Sequence, residues 1–192
     1  MKDWTEVTAE HQLLGEGLIR AGKVVFVVRA DERSLRVLPG MGLTLLGWKL
    51  LQAGNVPVWV IAVAELTERL HAHILELGLP PGMQGSVFSD LDWDEVLAAN
   101  TSIEHMYVCE CSNVLADLHP GILGMHAEAR VLRTFEASDG TLTGPWYHSL
   151  SVLQEDLTDL VVDLPDDRCF KVTDDAALVE AARVLQTFRF KP

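Results

Sequence analysis

Only three cysteines occur in 192 residues, an odd and small number that argues against a disulfide framework and fits a reducing compartment. Positive charge is also scarce: 15 Lys+Arg against 28 Asp+Glu leave a formal net charge of −13. Such a field repels polyanions, so neither nucleic acid nor an anionic membrane is expected as a partner unless basic residues cluster. They do so only weakly, at Arg29, Arg33 and Arg36. No apolar run approaches the ~20 residues of a membrane span, and the opening MKDWTEVTAEHQ lacks the basic start and apolar block of a signal peptide. The expectation is a cytoplasmic protein. No internal repeat or low-complexity tract stands out.

What is present is apolar material, 48% of the chain, enough for one substantial core, and a single domain over 1–192 is expected. Val24 to Val28 is a continuous β-branched and aromatic run, the composition of a strand covered on both faces. Val56 to Ala64 is a second such strand and Glu104 to Cys111 a third. Helices are predicted over Thr8 to Arg20 with Leu13, Leu14, Gly17 and Leu18 on its apolar face, over Leu45 to Ala53 behind a Thr44 cap, over Glu65 to Leu77 and over Asp92 to Ala99. Gly85 to Phe88 reads as a short extended piece, and Asn113 to Leu123 as loop and short helix. Strands are expected at Glu128 to Phe135 and Leu160 to Leu164, and a closing helix at Asp175 to Phe188 with Asp174 or Thr173 as its cap. Strands alternating with helices give a three-layer α/β sandwich with a Rossmann-like, mainly parallel sheet.

The loop leaving a central parallel strand usually borders the binding crevice, which directs attention to Arg29 to Arg36. A loop that cradles phosphates uses glycines so that backbone N–H groups can close on the anion, and Ala30-Asp31-Glu32-Arg33-Ser34 has none. Guanidinium forks can substitute for backbone donors, so Arg29, Arg33 and Arg36 are candidate phosphate ligands. The competing reading is that Asp31 and Glu32 neutralise them. Cys109-x-Cys111 with His119 and His126 offers four zinc-type ligands, yet Cys on a buried strand commonly serves as a small hydrophobe and the histidine spacing fits no standard finger. The run Asp156, Asp159, Asp163, Asp166 and Asp167 reads as a solvated acidic face, and Trp146-Tyr147-His148 as core packing or an assembly contact.

Three stretches carry a resemblance to the UTP:sugar-1-phosphate uridylyltransferases, the UDP-sugar pyrophosphorylases of nucleotide-diphospho-sugar transferase fold. Gly15 to Val24 resembles that family's lead-in helix and first strand, after which the family's A-G-G-x-G-T-R-L loop is replaced by Ala30 to Val37 and its lysine by Gly40 after Pro39. Pro81 to Leu91 resembles the glycine-rich loop that holds the uracil. Tyr107 to Ala116 resembles a strand ending in D-N-L-L-A, continuing into His119-Pro120 and Leu123-Gly124-Met125-His126, with Ser112 where the family has a metal-binding aspartate. Lys171 to Leu178 resembles the helix that closes many smaller nucleotidyltransferases. The resemblance implies a nucleotide site at Ala30, Arg33, Arg36, Gln84, Gly85, Ser112 and Asn113, with Mg²⁺ as cofactor if the protein is catalytic. A hydroxyl does not replace a carboxylate for a hard dication, so the expectation is a degenerate nucleotidyltransferase-like protein that keeps nucleotide or nucleotide-sugar binding without efficient uridylyl transfer. The alternative is a non-catalytic interaction or regulatory module, with a protein partner or a homo-oligomer, that retains only the fold.

Overall fold

Fully apolar strands stack in parallel only when helices cover both faces of the sheet, and this requirement sets the architecture. A computed structural model describes residues 2–3, 7–115, 124, 135–136, 146–149, 162–163 and 169–187. In chain order the elements are β1 (Lys2–Asp3), α1 (Ala9–Arg20), β2 (Val24–Arg29), the hairpin strands β3 (Val37–Leu38) and β4 (Leu43–Thr44), α2 (Leu45–Ala53), β5 (Val58–Ala62) and α3 (Ala64–Glu76). There follow β6 (Ser86–Ser89), α4 (Trp93–Ala99), β7 (His105–Glu110), β8 (Asn113–Leu115), β9 (Phe135–Glu136), β10 (Trp146–Ser149), β11 (Val162–Asp163), β12 (Cys169–Lys171) and α5 (Asp175–Leu185).

The main sheet has the order β10-β7-β2-β5-β6. Its strands β7, β2, β5 and β6 are parallel, and β10 is antiparallel on β7. The chain steps outward from β2 to β5 to β6 and then returns to the far side of β2 as β7. Right-handed crossovers must therefore place α2 and α3 on one face and α4 on the other. Packing agrees. Val24, Phe26 and Val28 join Leu46 and Leu50 of α2, Leu66, Leu70 and Ile74 of α3, and Leu178 and Ala182 of α5 in one core. Val25, Val27, Trp59, Ile61 and Met106 meet Val96 of α4 on the opposite face. The result is the expected three-layer sandwich with a mainly parallel, Rossmann-like sheet. Among the described residues no helix is long and apolar enough to cross a membrane.

Several local expectations are corrected. The second strand is shorter than Val56 to Ala64 because Val56 N–H closes the turn after α2 onto Ala53 O (3.0 Å) and Val63 already caps α3. The inward stripe of α1 is Gly15 with Leu18 and Ile19, while Leu13 and Leu14 are exposed. Residues three and four apart share a helix face, and a glycine in that stripe lets the backbone approach. Asn113 begins a strand rather than a loop, since β8 pairs antiparallel with β12. That partner is remote in sequence and leaves no local signature. The remainder of Asn113 to Leu123, and most of the strands expected at Glu128 to Phe135 and Leu160 to Leu164, lie outside the described residues.

Candidate functional site

Reversal of strand order between β2 and β7 makes their carboxyl ends the switch point of the sheet, the place where the ligand-binding crevice of open α/β sheets lies. Two links hold its walls together. Cys111 N–H donates to Arg29 O (2.8 Å), extending the ladder one step past both strands. Beyond it, Asp31 caps a 3-10 turn over Glu32–Leu35, its carboxylate accepting from Arg33 N–H (2.9 Å) while its own N–H donates to Ser34 Oγ (2.9 Å). Ser34 is buried and its hydroxyl contacts the Cys111 thiol. Burial pushes that thiol up to about 12, and burial likewise raises Cys109, so both are un-ionised packing groups. Among the described residues no trio of His, Cys, Asp and Glu could hold a metal; His119, His126, Asp156, Asp159, Asp166 and Asp167 lie outside them.

The far wall comes from chain segments remote from the strands. Val172 N–H donates to Ser112 O (2.9 Å), and β12 lies along β8, which brings the start of α5 to the crevice. Asp174 caps α5 through Ala177 N–H (2.8 Å), and Asp175 in its first turn pairs with Arg36. The other guanidiniums are also engaged: Arg33 with Asp31 (2.6 Å), Arg29 with Glu110 (3.6 Å), and Arg69 of α3 with Glu32 (2.5 Å). The basic cluster is neutralised within the chain. Such exposed pairs are each worth ~0–1 kcal/mol, so an incoming anion can compete for them.

Ala30, Arg33 and Arg36 therefore stand on one side of the crevice and Ser112 and Asn113 on the other. Gln84 and Gly85 are elsewhere. They precede β6 at its amino end, where the register puts Gly85 level with Val58 and Phe26, about 10 Å along the strands from Arg29 at ~3.3 Å per residue. Gln84 Nε2 donates to Leu79 O (2.8 Å). A Cβ on Gly85 would meet Leu50 and Val60 at 3.0 and 3.2 Å, so the glycine admits α2 against the sheet.

One group at the crevice lay outside the residues expected from sequence. Lys49 of α2 is 1% exposed, and its ammonium donates to the backbone oxygen of Asn113 and contacts the Cys109 thiol. Among the described residues it has no carboxylate partner. The signal was a single charge within the otherwise uncharged LLGWKLLQA. Asn113, one of the expected nucleotide residues, has a side chain only 6% exposed, and among the described residues its Oδ1 has no hydrogen-bond partner. A buried orphan acceptor costs ~1–3 kcal/mol unless something donates to it.

Among the described residues, the groups at the crevice do not fit the Mg²⁺ that the resemblance implies. A hard dication needs carboxylate oxygens, but Asp31 and Glu110 are committed to Arg33 and Arg29, Ser112 offers a hydroxyl, and an ammonium sits beneath.

No protein-family model matches this sequence, and no curated protein matches it. Among solved structures, the chain is similar to a protein of Entamoeba histolytica provisionally described as a UDP-N-acetylglucosamine pyrophosphorylase, with a TM-score of 0.62 at 12% identity. The match covers 77% of this chain and 64% of that one. This likeness shows a nucleotidyltransferase-like fold.

Proposed function

We propose that the β2/β7 crevice binds a nucleotide or nucleotide-sugar and that efficient nucleotidyl transfer has been lost. The observation that carries this reading is Asn113 Oδ1, a buried acceptor with no hydrogen-bond partner among the described residues, at the mouth of the sheet's switch point. A base N–H or a sugar hydroxyl would satisfy it. Arg33 and Arg36 would take the phosphates by exchanging Asp31 and Asp175 for phosphate oxygens. The donor set supports the loss of transfer in this reading: among the described residues of the crevice Asp31, Glu110 and Asp175 are each paired with an arginine and Asp174 caps α5, leaving none to hold a metal against the developing charge. Those same ion pairs favour a second reading, in which the crevice stays closed and the fold serves as an interaction module.

The test is a thermal-shift titration with UTP, UDP, UDP-glucose and UDP-N-acetylglucosamine, each with and without Mg²⁺. A ligand at 100 times its Kd adds about 2.7 kcal/mol, which moves Tm by roughly 5–10 °C for a chain of this size. Binding should be saturable, specific for uridine, indifferent to Mg²⁺, and lost in Asn113→Leu. Asp175→Asn, which frees Arg36, should tighten binding by about fivefold, the equivalent of a ~1 kcal/mol surface pair. No shift with any ligand at millimolar concentration, in wild type or in Asp175→Asn, overturns the reading.

A further inference from the structure

The outer edge of the sheet opposite β10 carries a second, independent feature. Among the described residues β6 pairs only with β5, so its other side presents unpaired backbone N–H and C=O groups. Proteins blunt such edges with lysine, proline or inward charges, and Ser86-Val87-Phe88-Ser89 has none of these. Beside the edge runs a groove of about 380 Å³ lined by Thr67, Glu68, His71, Ala72 and Leu75 of α3 and by Val87 of β6. Its floor is apolar, and Leu75 (55% exposed) and, at the end of the edge strand, Leu91 (83% exposed) stand unburied.

Among the described residues, negative charge dominates the surroundings. From Leu70 to Ala129 the sequence contains no lysine or arginine, while Glu76, Asp90, Asp92, Asp94 and Glu95 are exposed around the edge and Glu68 lines the groove itself. The nearest guanidinium on α3, Arg69, is held by Glu32. A second copy of the chain would bring these acids and two net charges of −13 together.

We propose that β6 and the α3 groove are a docking site for an extended basic segment of another protein, added as a further strand to the sheet. Main-chain bonds to β6 fix the segment, and because side chains alternate along a strand, every second residue lies over the groove. Apolar side chains there cover Ala72, Leu75 and Val87, while the lysines or arginines at the alternate positions turn away from the groove toward the acids around the edge, and Glu68 adds its negative charge at the groove itself. The site is independent of the crevice, which opens at the carboxyl ends of β2 and β7.

The experiment uses a fluorescein-labelled heptapeptide of alternating lysine and valine, with an all-lysine heptapeptide as the control for charge alone, read by anisotropy at ~0.15 M salt. Saturable binding at least tenfold tighter than the control is expected, with a tenfold loss in Leu75→Arg and in Glu68→Lys. Both changes lie on the exposed face of α3 and leave the core untouched; an unchanged urea midpoint verifies that they fold. Equal binding of both peptides, or none, overturns the proposal. Light scattering that finds a dimer which Leu75→Arg dissociates also overturns it, by showing that the edge is occupied by a second copy.

Discussion

Lys49→Met should make the protein more stable. The lysine lies in the apolar core with its ammonium on the Asn113 carbonyl and, among the described residues, no carboxylate within ion-pair distance. Removing an unmatched buried charge recovers a desolvation cost of several kcal/mol. Against this stands one charge-assisted hydrogen bond, worth ~1.5–3 kcal/mol. Methionine has nearly the same length and fills the space flexibly, so little cavity cost enters. The net expectation is a gain of roughly 1–3 kcal/mol, read as a higher urea midpoint at unchanged m. A loss of more than ~2 kcal/mol would refute the reasoning, because it would mean that a negative group matches the ammonium in the folded protein and that the crevice floor is not cationic. A cation retained against stability at a binding crevice is what selection for function leaves behind.

Two further outcomes follow from named contacts. Thr44 caps α2 by accepting from Gly47 N–H (3.0 Å), and its hydroxyl also meets His73 Nε2 of α3 (2.7 Å), so Thr44→Ala should cost about 2 kcal/mol in urea unfolding; a change under ~0.5 kcal/mol would deny both bonds. His105 lies where β7 begins, and burial holds its pKa below the usual imidazole value despite Glu104 beside it, with Lys23 adding to the depression. The unfolded chain therefore binds a proton near pH 6.5 that the folded one does not, so the contribution is complete above 6.5 and is lost as pH falls toward the lowered folded value. Stability of the wild type should drop more steeply between pH 7 and 5 than that of His105→Gln, and parallel curves would rule this out.

The strands were legible because their apolar runs are unbroken: Val24 to Val28 needs cover on both faces whatever lies around it. Caps were legible too, since Thr44 and Asp174 act through neighbours three residues on. The site was less so. Nothing near Arg36 announces Asp175, and β8 exists only because Cys169–Lys171 lies beside it. The arginines and the neutralisation of Arg33 by nearby Asp31 could be found by sequence, but not the pairing of Arg29 with Glu110, which depends on the ends of β2 and β7 being neighbours. Gly85 is ambiguous in sequence for a different reason. Close helix packing and close ligand approach call for the same missing side chain, and only the register tells them apart.

The return of β7 to the far side of β2 also has a consequence for how the molecule is assembled. Strands β2, β5 and β6 and their helices are local in sequence and can form while the chain is still being made, leaving β2 with one bare edge. Only when residues up to Glu110 have been synthesised can β7 close that edge, and only after Asp175 can the crevice gain its last wall. The central strand is thus among the first elements made and the last to be enclosed. A nascent chain halted near residue 100 would expose Val24 to Val28 as a ready template for pairing with other strands, the segment most in need of protection during synthesis.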